Sequence, residues 1–169
     1  MNQSSAAHVP QVRLPGCKSL SQRALILAAS GSGHCQLSGL SSCDDSRFLL
    51  EALRGLGVSI EPAAADAVSR ADGVDGVSTA DQQTEWIIDG LGAPPQGTGQ
   101  VVDVGEAGSS LRFLLPWCAA GQGEFVLTGA PRLFERPPHD LIDFLTELGA
   151  KIQPVTIQNR PGLRIHAAG

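Results

Sequence analysis

Two glycine turns in this chain carry the residues best suited to chemistry. The first, Pro15-Gly16, delivers Lys18, Ser19, Ser21 and Arg23 to the opening turns of a predicted helix. The second, Gly105-Glu106-Ala107-Gly108, does the same for Ser109, Ser110 and Arg112. Arg132 and Arg136 stand in a loop before a further helix start and could join them. Free backbone N–H groups at a helix N-terminus favour anions, and glycine lets a ligand approach the backbone. Serine hydroxyls add hydrogen bonds, and a guanidinium grips phosphate or carboxylate with two parallel bonds. One helix end contributes only ~0.3–1 kcal/mol toward an exposed anion, whereas micromolar binding needs ~8 kcal/mol. The two turns must therefore converge if they are to hold a ligand.

Each feature also has a plainer use. A Ser-x-x-x-Arg at a helix start serves as a cap and a solvated charge. Asp44, Asp45 and Arg47 read as helix capping with a local ion pair. Glu106 is either a turn residue or an acid in the site. His8, His34, His139 and His166 have no triad or metal spacing, and neither a Gly-x-Ser-x-Gly elbow nor a phosphate-binding Walker loop is present. Cys17, Cys35, Cys43 and Cys118 include no Cys-x-x-Cys pair, so they read as reduced thiols rather than zinc ligands. No metal and no cofactor is called for.

Composition narrows the partners. With 169 residues and a formal net charge of −5, the chain has no global basic field for nucleic acid or an acidic membrane. Five Phe, two Trp and no Tyr argue against stacking on bases. A small anionic ligand remains compatible, because a local cluster of arginines outweighs the mean charge. The longest fully apolar run, Ala24–Ala29, is far too short to span a bilayer, and the polar N-terminus lacks a signal-peptide core. The expected setting is soluble and cytoplasmic, with no nucleic acid and no membrane.

The elements that must hold these turns can be read in order. After a loose tail over 1–11, Val12–Leu14 reads as a strand and about Ser19–Ser30 as a serine-capped helix. That helix is apolar nearly all round, which predicts burial on several sides. A strand at His34–Ser38 and a helix from Ser42 or Asp44 to Gly57 follow, the latter with Phe48, Leu49, Ala52, Leu53 and Leu56 at helical spacing. Val58–Glu61 and Glu85–Asp89 are strands around an exposed excursion, Pro62–Gln83, and Gly90–Gly99 reads as a loop. Then come a strand at Val101–Val104 and a helix capped by Ser109 or Ser110 and bent at Pro116. Glu124–Thr128 is a strand, Gly129–Glu135 a loop, and Pro137-Pro138 open a helix ending at Gly149. Lys151–Ile157 and Leu163–His166 are the last strands.

This order occurs twice. Leu37-Ser38-Gly39 matches Leu127-Thr128-Gly129 at an offset of 90, and Leu49, Leu53, Leu56 and Gly57 match Leu141, Leu145, Leu148 and Gly149 at 92. Arg23 and Arg112, 89 apart, each stand before an apolar helical run. The predicted fold is α/β (α+β), built from repeated β-α-β-α-β-β units, unit 1 at about 12–90 and unit 2 at about 101–169. The chain stops after the closing strand of its second copy. With too few neighbours for its apolar helices, the chain 1–169 is expected to be incomplete.

At these residues the chain resembles the 5-enolpyruvylshikimate-3-phosphate synthase (3-phosphoshikimate 1-carboxyvinyltransferase) family. Leu14–Leu25 looks like its N-terminal signature, Gly105–Arg112 is similar to its second glycine-rich motif, and Thr128–Pro137 resembles its third, followed by Leu148–Ile152. The resemblance implies transfer of the enolpyruvyl group of phosphoenolpyruvate to the 5-hydroxyl of shikimate 3-phosphate, releasing phosphate, without metal or organic cofactor. It implies two domains with three copies of the unit in each. Carried over, Lys18 would contact both substrates, Ser19 and Arg23 would hold shikimate 3-phosphate, and Gly108 and Arg132 would bind phosphoenolpyruvate, with Arg112 a supporting cation.

Departures are also visible. Cys17 stands where the family often has Ser or Asp, and Glu106 where many members have Asn. The family's Ser-Ser-Gln segment and its catalytic Asp and Glu have no counterpart here, so no catalytic residue is identifiable in this chain. The missing C-terminal part, or a complementary chain, would have to supply them. A non-catalytic binding or structural remnant of the fold is the alternative. The sister UDP-N-acetylglucosamine enolpyruvyl transferase resembles the chain at Arg136-Pro137, but has Cys where Pro131 stands here.

Overall fold

The computed structural model describes residues 16–63, 85–135 and 137–169. Its elements are α1 (Lys18–Ser30), β1 (Ser32–Leu37), α2 (Asp44–Gly55), β2 (Ser59–Pro62), β3 (Trp86–Leu91), β4 (Gln96–Asp103), α3 (Gly108–Ala119), β5 (Gln122–Thr128), α4 (Pro131–Glu135), α5 (His139–Glu147), β6 (Lys151–Ile157) and β7 (Arg160–Ala168). The predicted tail, the strand at Val12–Leu14, most of the excursion and Arg136 lie outside the described residues.

The strands form two sheets, one ordered β1-β3-β2 and the other β4-β5-β7-β6. In both, a strand, a helical connection and an antiparallel pair recur with the same neighbours: β1-β3-β2 repeats as β5-β7-β6. The fold is thus mixed α/β with two copies of one unit. The second sheet adds β4, which runs parallel to β5. Parallel neighbours need a crossover, and α3 supplies it. The β6–β7 hairpin closes through Gln158 and Asn159, both at positive φ (50° and 63°), as a two-residue type I′ turn requires.

One apolar core joins both units. Leu25 of α1, Leu49 and Leu53 of α2 and Ile88 of β3 are fully buried, as are Leu114 and Leu115 of α3, Phe125 and Leu127 of β5 and Ile165 of β7. In β5 the run Phe125–Thr128 is buried throughout, so this strand is covered on both faces. Each buried Leu, Ile or Phe contributes ~1.5–3 kcal/mol over leaving it exposed.

Several expectations are corrected. Gly90–Gly99 is not one loop: β3 continues to Leu91, paired with Ser32, and β4 begins at Gln96. The glycines there serve close approach. A side chain at Gly90 would collide with the carbonyls of Ala28 and Gly31 where α1 ends on the sheet, and one at Gly97 would collide with the Glu124 backbone. Gly129–Glu135 contains the short helix α4, begun by Pro131 at the position where a missing N–H costs nothing.

Neither α1 nor α3 is capped by serine. Their N-caps are Cys17 and Ala107, with no side-chain cap bond; Ser19 instead holds Arg23, Ser21 accepts from Ser41 N–H in the loop before α2, and Ser110 donates to Asp45 O of α2. Nor is α1 covered on several sides. Ala28 and Ala29 pack inward with Leu25, but Leu20 and Leu27 are 67% and 72% exposed. Among the described residues no helix is long and apolar enough to cross a membrane.

Candidate functional site

The first turns of α1 and α3 come together, and the two helices lie parallel with like ends together. Near their starts, Gln22 Nε2 donates to Ser110 Oγ at 3.4 Å, and the Arg23 guanidinium sits over the Phe113 ring, 5.6 Å from its centroid. Near their ends, Trp117 Nε1 donates to Ser30 Oγ at 2.9 Å. Parallel helices with adjacent N-termini add their positive ends on one side, the arrangement that favours an anion.

A second juxtaposition comes from the sheet. The parallel strands β4 and β5 finish together, with Asp103 opposite Thr128 and Val104 N–H donating to Thr128 O at 2.8 Å. The following loops therefore leave from one edge, the position at which parallel sheets hold ligands. Ala130 N–H donates to Gly105 O at 2.8 Å, tying the loop that carries Arg132 to the Gly105–Gly108 turn.

Asp103 braces that turn from below. Its Oδ1 accepts from Gly105 N–H at 2.8 Å, and its two oxygens take Arg160 Nη1 and Nη2 at 2.6 and 3.0 Å. The Arg160 contact holds the Asp103 carboxyl below its ordinary range, against the upward push of burial. Gly105 itself has φ of 58°, and a side chain there would strike the Phe48 ring, so glycine is required twice over.

The predicted residues fall as follows. Lys18 opens α1 and is ion-paired to Asp45 Oδ2 at 2.6 Å. That hydrogen bond is the main reason its ammonium keeps its proton above the ordinary lysine value of 10.5. Ser19 accepts Arg23 Nη1 on both its hydroxyl and its backbone oxygen, the latter at 2.9 Å. Arg23 is thereby folded back along α1 with its flat face on Phe113.

Gly108 is the first residue of α3, and a side chain there would touch Leu133 of α4 at 3.6 Å. Arg112 and Arg132 are exposed and have no carboxylate partner among the described residues. Glu106 is exposed in the turn.

Asp45 is the residue that sequence reasoning misplaced. The N-cap of α2 is Cys43, without a side-chain cap bond, and Asp45 instead receives Lys18 and, at 3.3 Å, the Ser109 hydroxyl. Only the Asp44–Arg47 pair, at 3.4 Å, is the local contact expected there. Beside it, burial pushes the Cys43 thiol up, but hydrogen bonds with Ser41 and Ser46 outweigh it and leave the thiol below its ordinary value.

A cavity of about 550 Å³ lies along α2 between Leu40, Phe48, Leu50 and Trp86. Its cations, Arg47 and Arg54, are already paired with Asp44 and Glu51. It offers an incoming anion less than the helix starts do.

Comparison with known proteins matches residues 3–169 to EPSP synthase (3-phosphoshikimate 1-carboxyvinyltransferase). A 3-phosphoshikimate 1-carboxyvinyltransferase of Vibrio vulnificus is 41% identical over 160 residues, covering 94% of this chain and 33% of that protein. One of Shewanella woodyi is 38% identical over 162 residues, with the same coverage. The solved structure of EPSP synthase from Acinetobacter baumannii superposes with a TM-score of 0.72 at 26% identity, over 93% of this chain and 32% of that one. The chain spans about a third of the length of these relatives.

Proposed function

This chain belongs to the EPSP synthase family, and on that premise we propose that it supplies part of the substrate-binding half of a cytoplasmic 3-phosphoshikimate 1-carboxyvinyltransferase. The reaction is transfer of the enolpyruvyl group of phosphoenolpyruvate to the 5-hydroxyl of shikimate 3-phosphate, with release of phosphate. Lys18 would contact both substrates, Ser19 and Arg23 would hold shikimate 3-phosphate, and Gly108 and Arg132 would receive phosphoenolpyruvate with Arg112 as a supporting cation. Both substrates are anions that repel one another, and placed cations lower that barrier before any bond changes.

The observation that carries this reading is the parallel packing of α1 and α3 with their first turns adjacent. The relatives' names favour shikimate 3-phosphate over a UDP-sugar. Proton-transfer groups are assigned to the remaining two-thirds of the relatives' length, or to a complementary chain. The exposed Leu20 and Leu27 give α1 an apolar stripe that such a part would cover.

Titrating the chain with shikimate 3-phosphate tests the reading. Saturable binding is expected, weakened at least tenfold in Lys18→Ala and in Arg23→Ala, each of which removes one charge-assisted contact. Absence of binding would favour a structural remnant or a half-site that needs the remaining two-thirds of the relatives' length. Mixing the chain with both substrates should release no phosphate, and turnover would refute the assignment of the proton-transfer groups elsewhere.

A further inference from the structure

The sequence motifs do not call for Asp45, yet it touches both helix starts. Its Oδ2 takes Lys18 Nζ at 2.6 Å and Ser109 Oγ at 3.3 Å, while its backbone oxygen accepts from Ser110 Oγ at 3.3 Å. Asp44, next in the chain, turns away to Arg47. We propose that Asp45 is a positioning residue of the substrate site, its carboxylate holding the Lys18 ammonium at the mouth shared by α1 and α3 so that a phosphorylated ligand meets a cation already in place. The inference rests on the substrate reading given above.

Three features support it. A lysine side chain is long and freely rotating, and fixing it beforehand removes an ordering cost from binding. The ammonium has three donors, of which Asp45 engages one and leaves others for a ligand. The Lys18 side chain is 50% exposed and that of Asp45 only 25%, so the cation is the more open partner. Cys43 is the other titratable group that acts on Lys18.

Lys18 and Lys151 are the only lysines in the chain, so acetylation followed by mass spectrometry reads Lys18 against an internal reference. At mildly alkaline pH the wild type should acetylate Lys18 several-fold more slowly than Lys151. Asp45→Asn should bring the two rates together, Asp45→Glu should keep them apart, and Asp44→Asn should change nothing. An unchanged ratio in Asp45→Asn, or an equal change in Asp44→Asn, overturns the proposal; a urea midpoint confirms that each variant is folded.

Shikimate 3-phosphate should protect Lys18, with roughly tenfold more needed for half-protection in Asp45→Asn. Equal half-protection in both proteins would overturn the positioning role. No protection in the wild type, with the ligand-free effect intact, would overturn the substrate reading and leave only the contact between Asp45 and Lys18.

Discussion

Arg23 of the first unit lies over the ring of Phe113 of the second, 5.6 Å from its centroid. The contact joins the two copies where the candidate site requires them to meet, and it holds the guanidinium flat against α3. Phe113→Leu keeps an apolar side chain, though a smaller one, and removes the ring face. It should lower stability by about 0.5–1 kcal/mol, the weight of an exposed cation–π contact, and urea unfolding of the two proteins would measure it. No change in midpoint would mean that Arg23 is placed by Ser19 alone.

The four cysteines should separate by reactivity. Burial pushes the Cys118 thiol up to about 12, whereas the Cys43 thiol sits below its ordinary value. The thiolate is the form that reacts. Brief treatment of the native chain with iodoacetamide near neutral pH should therefore modify Cys43 and spare Cys118, with unfolding exposing both. Peptide mass spectrometry decides it, and early alkylation of Cys118 would contradict the packing of α3.

Acid should act through Asp103. Its folded-state carboxyl is held below the ordinary value of 3.8 by Arg160. A depressed acid stabilises the fold fully above its unfolded value and loses that contribution as pH falls through the folded one. The wild type should thus lose stability below about pH 4 more steeply than Asp103→Asn. Both partners are more than a third exposed, which limits the pair to under ~1 kcal/mol. Parallel acid limbs for the two proteins in thermal unfolding would remove Asp103 from the account.

Gly90 tests the reading of the glycines as close-approach residues. Gly90→Ala drives a methyl group into the carbonyls of Ala28 and Gly31 and should cost about 1–3 kcal/mol, the usual range for overpacking. A loop glycine would tolerate the change, so an unaffected urea midpoint would place the strand boundary wrongly.

The helices and most strands were legible because their apolar residues repeat at 3.6 or alternate at 2, and because the same order occurs twice. Glycine blurred the rest. At Gly90 and Gly97 it permits backbone contact rather than a turn, and composition alone does not distinguish these uses. Asp45 was hidden for a different reason. An aspartate in the first turn of a helix is already explained by the helix dipole, and its partners, Lys18 and Ser109, lie on other helices. Ser109 and Ser110 looked like caps on the same logic, although both reach α2. Lys18, Ser19, Arg23, Gly108, Arg112 and Arg132 are proposed from the family resemblance; that the starts of α1 and α3 meet on Asp45 emerged only from the packing.

The central claim is that both glycine turns face one anionic ligand, and amide NMR on the labelled chain tests it most directly. Titration with shikimate 3-phosphate should shift the amides of Lys18–Ser21 and of Gly108–Ser110 together, along a single saturation curve. Shifts confined to one turn, or two curves with different midpoints, would contradict a shared pocket.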